Sequence, residues 1–346
     1  MLRKKIVLSL MMAGIFLAAT AAANAACTFT TVKKTMTLTG NCTTTAPIAI
    51  PNGYTLDGAG YTITANDPSG DHFKGGVIQN GGAVANVTNV TVTAVGLSDV
   101  CDGGADRLRG ILFDGASGSI TNVKVLNLNQ GASGCQEGNG IEVRNFGSSA
   151  NTIRVTIDGN TVTNYQKNGI TANGDTDATI TNNAVQGAGP VGYIAQNGIQ
   201  VGFGATAMVK RNNVSGNAYT GSSTVAAGIL LVAGPFYGSD YSVGDQIDQN
   251  TISENDVGVY VSELDAGGNP SPTATNVKIV NNTISKAGVT NGFIYQAGVS
   301  EQGNNDKIIN NNISGAGYDP NTIFGATFAI DADPAFTNRA KIHANK

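Results

Sequence analysis

The run NGIEVR at 139–144 decides the fold, because versions of its first three residues return along the chain at nearly constant spacing. NGI ends at Ile141, Ile170 and Ile199, RGI at Ile111, AGI at Ile229, VGV at Val259 and AGV at Val299. The successive intervals are 30, 29, 29, 30, 30 and 40 residues. A period of this size marks a solenoid, in which each repeat is one coil that buries its apolar face on its neighbours. Within IEVR, Ile141 and Val143 take one side of a strand and Glu142 and Arg144 the other. Ile199 with Val201, Ile229 with Leu231 and Val259 with Val261 repeat the inward pair. Burying one such isoleucine contributes roughly 1.5–3 kcal/mol by transfer, before entropy is subtracted.

A second series runs through the same coils, with apolar residues at Val92, Val125, Val162, Val185, Val214, Ile252, Ile284 and Ile313. The turns before them are rich in asparagine, including Asn182, Asn183, Asn212, Asn250, Asn281, Asn282, Asn310 and Asn311. Asparagine tolerates left-handed backbone and bonds to nearby peptide groups, so stacked copies can form an amide ladder. Each coil then holds at least two short strands around a tight turn. The 46 glycines and the frequent Asn and Thr interrupt every candidate helix. Leucines at fixed offsets are missing, propeller blades need longer antiparallel units, and CDGGAD at 101–106 is an isolated fragment of a calcium-roll motif. The fold class is therefore all-β, a right-handed parallel β-helix solenoid with Asn-rich turns. Its expected divisions are a signal peptide over 1–26, an N-terminal cap and first coils over 27–76, parallel β-helix coils over 77–330, and a C-terminal tail or cap over 331–346.

Residues 1–10, MLRKKIVLSL, lead from a basic segment into an apolar run that ends in small residues, the pattern of a cleavable export signal with cleavage after Ala25 or Ala26. Acylation of Cys27 is the alternative, although Asn24 stands where a lipobox carries leucine. Without the three signal basics the charge is 17 − 24 = −7, which opposes binding to nucleic acid. The expected location is secreted, extracellular or periplasmic, with no transmembrane segment in the mature chain. Four cysteines suit an oxidising compartment, with 27 to 42 and 101 to 135 the favoured of three pairings. Two histidines and no chelating Cys spacing argue against zinc.

The NGI strand starts and Asn turns resemble the pectate lyase-like superfamily of right-handed β-helices over about Val77 to Ile330. That resemblance implies action on acidic polysaccharide through carboxylates and basic residues on an exposed parallel sheet. Here the outward positions place Asp114, Arg144 and Asn173 in one lane and Glu142, Thr171 and Gln200 in the next, with Arg109 nearby. For an enzyme, Arg144, Glu142 and Asp114 are the catalytic candidates: Arg144 neutralises a uronate carboxylate, and Glu142 or Asp114 accepts a proton or binds Ca2+. An ion-paired, solvated face accounts for the same residues. The chain departs from the superfamily's motifs, since of the lyase WIDH it keeps only Asp71 and His72. It also lacks GHG and reads VKIV rather than RIK at 277–280. Asp175 and Asp177 are read as turn residues.

Two insertions, 233–246 and 262–275, should project side by side from adjacent coils, where recognition loops usually sit. Phe236, Tyr237 and Tyr241 are the ligand-binding candidates, while Tyr193, Phe293, Tyr295 and Phe324 are read as loop anchors. The expected function is a secreted noncatalytic β-helix that contacts extracellular polysaccharide or a cell-surface glycan and requires no cofactor. The alternatives are a lyase, hydrolase or epimerase acting on acidic polysaccharide, with Ca2+ as cofactor, and a structural or adhesive spacer.

Overall fold

The computed structural model describes residues 25–222, 224–290, 292–332 and 340–346. The export signal read over 1–26 lies outside these residues except for Ala25 and Ala26. The first apolar series becomes one straight column: Ile78, Ile111, Ile141, Ile170, Ile199, Ile229, Val259 and Val299 are successive partners in parallel register. Their sheet, here the NGI sheet, has ten strands from Ile48–Pro51 to Thr327–Asp331. The second series forms another column, from Val92 through Val162 and Val214 to Ile313, in a ten-stranded turn sheet running from Cys42–Thr44 to Asn312–Ser314. The coils wind as a right-handed parallel β-helix, the hand that parallel crossovers favour.

A third sheet lies between these two in chain order. It has twelve strands, from Phe29–Val32 to Lys341–His343. Its column, Val87, Ile120, Ile157, Ile180, Val209, Ile247, Ile279 and Ile308, stands five residues before each member of the second series, a signal that would have revealed the third strand from sequence. The three columns meet in one continuous buried core. Helix among the described residues is limited to three short 3-10 turns, and no helix is long and apolar enough to cross a membrane.

The Asn turns divide their two asparagines between two tasks. The first residue takes positive φ, as Asn182, Asn281 and Asn310 do, and Gly159, Arg211 and Gln249 stand at the same position in other coils. The second residue forms the ladder, through the buried Asn160, Asn183, Asn212, Asn250, Asn282 and Asn311 to the half-buried Asn345. Each backbone N–H and each side-chain Nδ2 in the first six donates to the Oδ1 of the next, at 2.9–3.1 Å. Nδ2 also donates to a carbonyl of the preceding coil, so buried amides that would cost about 1–3 kcal/mol unpaired are satisfied along the whole column.

Both favoured cysteine pairs are disulfides, with Cα separations of 4.9 Å for Cys27–Cys42 and 5.0 Å for Cys101–Cys135. At the N-terminal end Phe29–Val32 runs antiparallel to Thr35–Leu38 and closes the stack as a hairpin. At the other end Lys341–His343 adds a parallel strand beside Lys307–Ile309, so the tail contributes a last partial coil.

Replacing a middle rung should be far more costly than replacing a turn residue. Asn212→Ala strips partners from Asn183, Asn250 and the Ile180 carbonyl, and denaturant unfolding should show a loss of at least about 2 kcal/mol. Asn182→Gly, at an exposed positive-φ position, should stay within about 1 kcal/mol of wild type.

Candidate functional site

The outward lanes of the NGI sheet fall as the sequence places them. Asp114, Arg144 and Asn173 are successive partners, as are Glu142, Thr171 and Gln200. The lanes are not a solvated face. Arg109 and Glu142 are 1% and 3% exposed, covered by the loop at 95–108 and by their own ion pair. Arg109 Nε donates to Glu142 Oε2 at 2.6 Å, while its terminal nitrogens donate to the carbonyls of Gly104, Ala105 and Arg107. Asn139 Nδ2 donates to the same Glu142 oxygen at 2.8 Å, and Arg144 reaches the other at 3.5 Å. Arg144 donates twice to Asp114 Oδ2, at 2.7 and 3.0 Å, and Ser148 donates to Asp114 Oδ1. The three catalytic candidates are thus brought together, with Arg144 as the bridge. A calcium ion shared by Asp114 and Glu142 would have to displace its guanidinium.

Beyond this network the face turns to amides. Asn197 donates to Asn168, Asn168 to Gln200, and Gln200 to Asn173, at 3.0–3.2 Å. A cavity of about 180 Å³ lies over Asn168, Asn173 and Gln200, with Arg107, Glu142 and Phe203 also in its wall. It shares Gln136 and Lys167 with a second cavity of about 410 Å³ that continues over Leu230 and Tyr260 and is bordered by Tyr193, Tyr219 and Tyr237. Together they form a trough running along the solenoid, across successive coils.

Lys167 was not among the sequence candidates. Its Nζ donates to the Ala195 carbonyl at 2.7 Å, and desolvation pushes its amine down to about 8. Its signal was present in the sequence, where a lysine immediately precedes an NGI strand start at a position held by Gly138 and Gln196 in neighbouring coils. Burial likewise raises the phenols of Tyr260 and Tyr193.

The two insertions do pack side by side. Leu264 N–H donates to Ala233 O, Phe236 N–H donates to Leu264 O, and the Phe236 ring lies against Gly268. Tyr237 borders the trough and shares a 2.7 Å hydrogen bond with Ser262, and Phe236 stacks edge-on to it from the exposed rim. Tyr241 lies against Gly234 and bonds Ser271, which makes it a prop for the loop. Of the other aromatics, Tyr295 donates to Asp331 at 2.5 Å, whereas Phe293 and Phe324 are exposed.

The remaining candidates fall elsewhere. His72 lies in a loop between Asp71 and Asp102, with Nε2 2.7 Å from Asp102. Asp175 is in a turn, but Asp177 belongs to the strand Thr176–Thr181, faces solvent and pairs with Arg154 at 3.5 Å, so the two do not share a turn as read from sequence. Among the described residues, Cys101, Cys135 and Glu137 are the one set of three metal-type side chains with ligand atoms all within 4.8 Å. The two sulfurs form a disulfide and Glu137 accepts the Asp102 and Leu108 amides, so this group anchors a loop.

Residues 109–313, more than half of the 346, match the family described as the right handed beta helix region. The chain belongs to that family. No curated protein sequence matches this β-helix protein. Among solved structures it is similar to the periplasmic alginate epimerase AlgG, at 13% identity and a TM-score of 0.51, covering 90% of this chain and 85% of that one. It is also similar to the Dettilon tailspike protein gp208, at 13% identity and a TM-score of 0.43, with 90% of this chain and 63% of that chain covered. The A-module of the Azotobacter vinelandii mannuronan C-5 epimerase AlgE6 gives 14% identity and a TM-score of 0.33, with 88% and 90% covered. The chain thus spans less than two thirds of the Dettilon tailspike. The likeness to AlgG shows the fold alone, and the site has to be argued from its own residues.

Removing one member of the buried ion pair should be severe. Arg109→Met leaves the buried Glu142 with only Asn139 and the 3.5 Å contact from Arg144 and should cost about 3 kcal/mol in denaturant unfolding, whereas adding Glu142→Leu should recover more than half of that loss. Arg144→Ala should cost about 1–3 kcal/mol, above the value for an exposed pair, because the Arg144 side chain is only 12% exposed.

Proposed function

We propose that this is a secreted, noncatalytic glycan-binding β-helix, and that an acidic polysaccharide lies lengthwise in the trough over the NGI sheet. The observation that carries the reading is the lining of the trough. Four tyrosines and a row of amides supply stacking faces and hydroxyl-binding groups, while Arg107 and Lys167 supply positive charge. Glu142, the carboxylate in its wall, is engaged by Arg109, Asn139 and Arg144. Such a surface holds sugars without a free acid and base flanking a glycosidic bond. No bound metal is needed for this reading.

A second reading rests on Lys167. An amine that titrates near neutrality inside a cleft can exchange a proton with the carbon beside a uronate carboxylate, the step common to lyases and epimerases.

Affinity electrophoresis in alginate, pectate and glycosaminoglycan gels should show saturable retention. Tyr237→Ala or Tyr260→Ala should weaken it about tenfold. Retention should fall as pH rises from about 7 to about 9, because Lys167 is cationic below its lowered pKa and neutral above it. Lys167→Met should abolish that pH dependence. Unsaturated products, or epimerised residues in proton NMR, that disappear in Lys167→Met would select the enzymatic reading. No retention and no product on any of the polymers would leave the spacer reading.

A further inference from the structure

Away from the trough, where three successive coils leave the NGI sheet and turn into the twelve-stranded sheet, four carboxylates converge. Glu263 ends the strand Val257–Glu263 and Glu301 ends Gln296–Glu301, while Asp245 and Asp306 directly precede Gln246–Asp248 and Lys307–Ile309. All four are buried, none more than 2% exposed. Each is anchored through one oxygen by a backbone N–H: Asp245 by Ala207 at 2.6 Å, Glu263 by Ser242 at 3.2 Å, Glu301 by Gly303 and Asp306 by Val277, both at 2.7 Å. The other oxygen of each, Asp245 Oδ2, Glu263 Oε1, Glu301 Oε2 and Asp306 Oδ2, is buried without a hydrogen-bond partner. The hydroxyl of Ser242, the residue whose amide anchors Glu263, is also fully buried and unpartnered.

Among the described residues no lysine, arginine or histidine forms an ion pair with any of the four. Burial pushes Asp245 up to about 7 and Glu263 up to about 9, and it also raises Glu301 and Asp306; Asp306 adds repulsion at Asp245 and Glu263, while Glu301 and Asp306 lie close enough for their carboxyl groups to share a hydrogen bond. Gly303 lets the group close in, since a Cβ there would meet Asp306 Oδ2, Thr275 Oγ1 and Glu301 Oε1. A cavity of about 240 Å³ beside the corner includes Glu301 in its wall.

We infer that this corner binds one calcium-class divalent cation, with the free oxygens of Asp245, Glu263, Glu301 and Asp306 and the Ser242 hydroxyl as ligands. An all-oxygen donor set selects a hard cation, and calcium accepts six to eight irregularly placed oxygens where magnesium holds to its octahedral waters. No three of the four carboxylates have oxygens all within 4.8 Å of one another, so binding requires the side chains to close inward around the ion. Its effect is to staple three coils at the side of the stack opposite the Asn ladder's turns. This site is independent of the glycan reading, and its failure would leave that reading intact.

The test uses the full mature chain, stripped with EDTA and returned to chelator-free buffer. Calorimetric titration should find one Ca2+ per chain, and Tb3+ should bind competitively with Ca2+. The melting temperature should rise by at least about 5 °C at a hundredfold excess over Kd, with Mg2+ far weaker. Glu301→Gln and Asp306→Asn should each weaken Ca2+ binding at least about tenfold. Hydrogen exchange should show Ca2+-dependent protection concentrated at 242–245, 263–264 and 301–306, a readout that stands even if a variant fails to fold. Absence of a calcium response in the wild type would overturn the inference and leave protons as what holds the corner. Binding undiminished in both variants, or protection centred elsewhere, would overturn it as well.

Discussion

The hydrogen bonds that pass from Asn160 down to Asn345 fix the vertical register on which the other features depend. A coil of about thirty residues has too little apolar surface to fold alone, so its stability comes from stacking, and stacking is useful only if each isoleucine meets its counterpart. A slip of one residue would turn the inward side chains outward. The ladder opposes such a slip, because each buried amide finds both its donor and its acceptor at one offset only. The apolar columns supply most of the free energy, and the amides select which alignment receives it.

That alignment also determines what the outer face of the NGI sheet can present. Because Ile111 stands over Ile141, Leu112 falls beside Glu142 and Asp114 beside Arg144. At the first coils the charges lie close enough to neutralise one another, and the loop pinned by Arg109 seals them. Farther along, the same lanes carry Thr171, Gln200, Leu230 and Tyr260, which have no charge to neutralise and leave the surface open to an incoming ligand. The trough therefore begins where the charge network ends, and Lys167 stands at the junction.

The sequence discloses the solenoid because the core repeats with every coil: Ile141, Ile170 and Ile199 are legible as equivalents from spacing alone. The Cys101–Cys135 disulfide follows for the same reason, since its two residues lie about one coil apart. Lanes are legible too, and so Asp114, Arg144 and Glu142 are found together. What cannot be read from spacing is whether loops cover a lane. The ring of contacts from Arg109 to Gly104, Ala105 and Arg107 buries residues that alternation alone assigns to solvent. Lys167 and the acids at 245, 263, 301 and 306 escape notice because they sit at strand boundaries. There the repeat relaxes, and neighbours in space come from coils of different length.

The antiparallel hairpin at the start of the stack sets the two ends of the molecule apart. A parallel coil presents an edge onto which another parallel coil can add, and identical molecules could in principle extend one another indefinitely. With Phe29–Val32 running against the grain, the first edge of the twelve-stranded sheet offers the wrong strand direction for that addition, and the Cys27–Cys42 bond holds the hairpin in place. Along this one sheet the stack has a terminator, while the NGI and turn sheets begin with parallel strands.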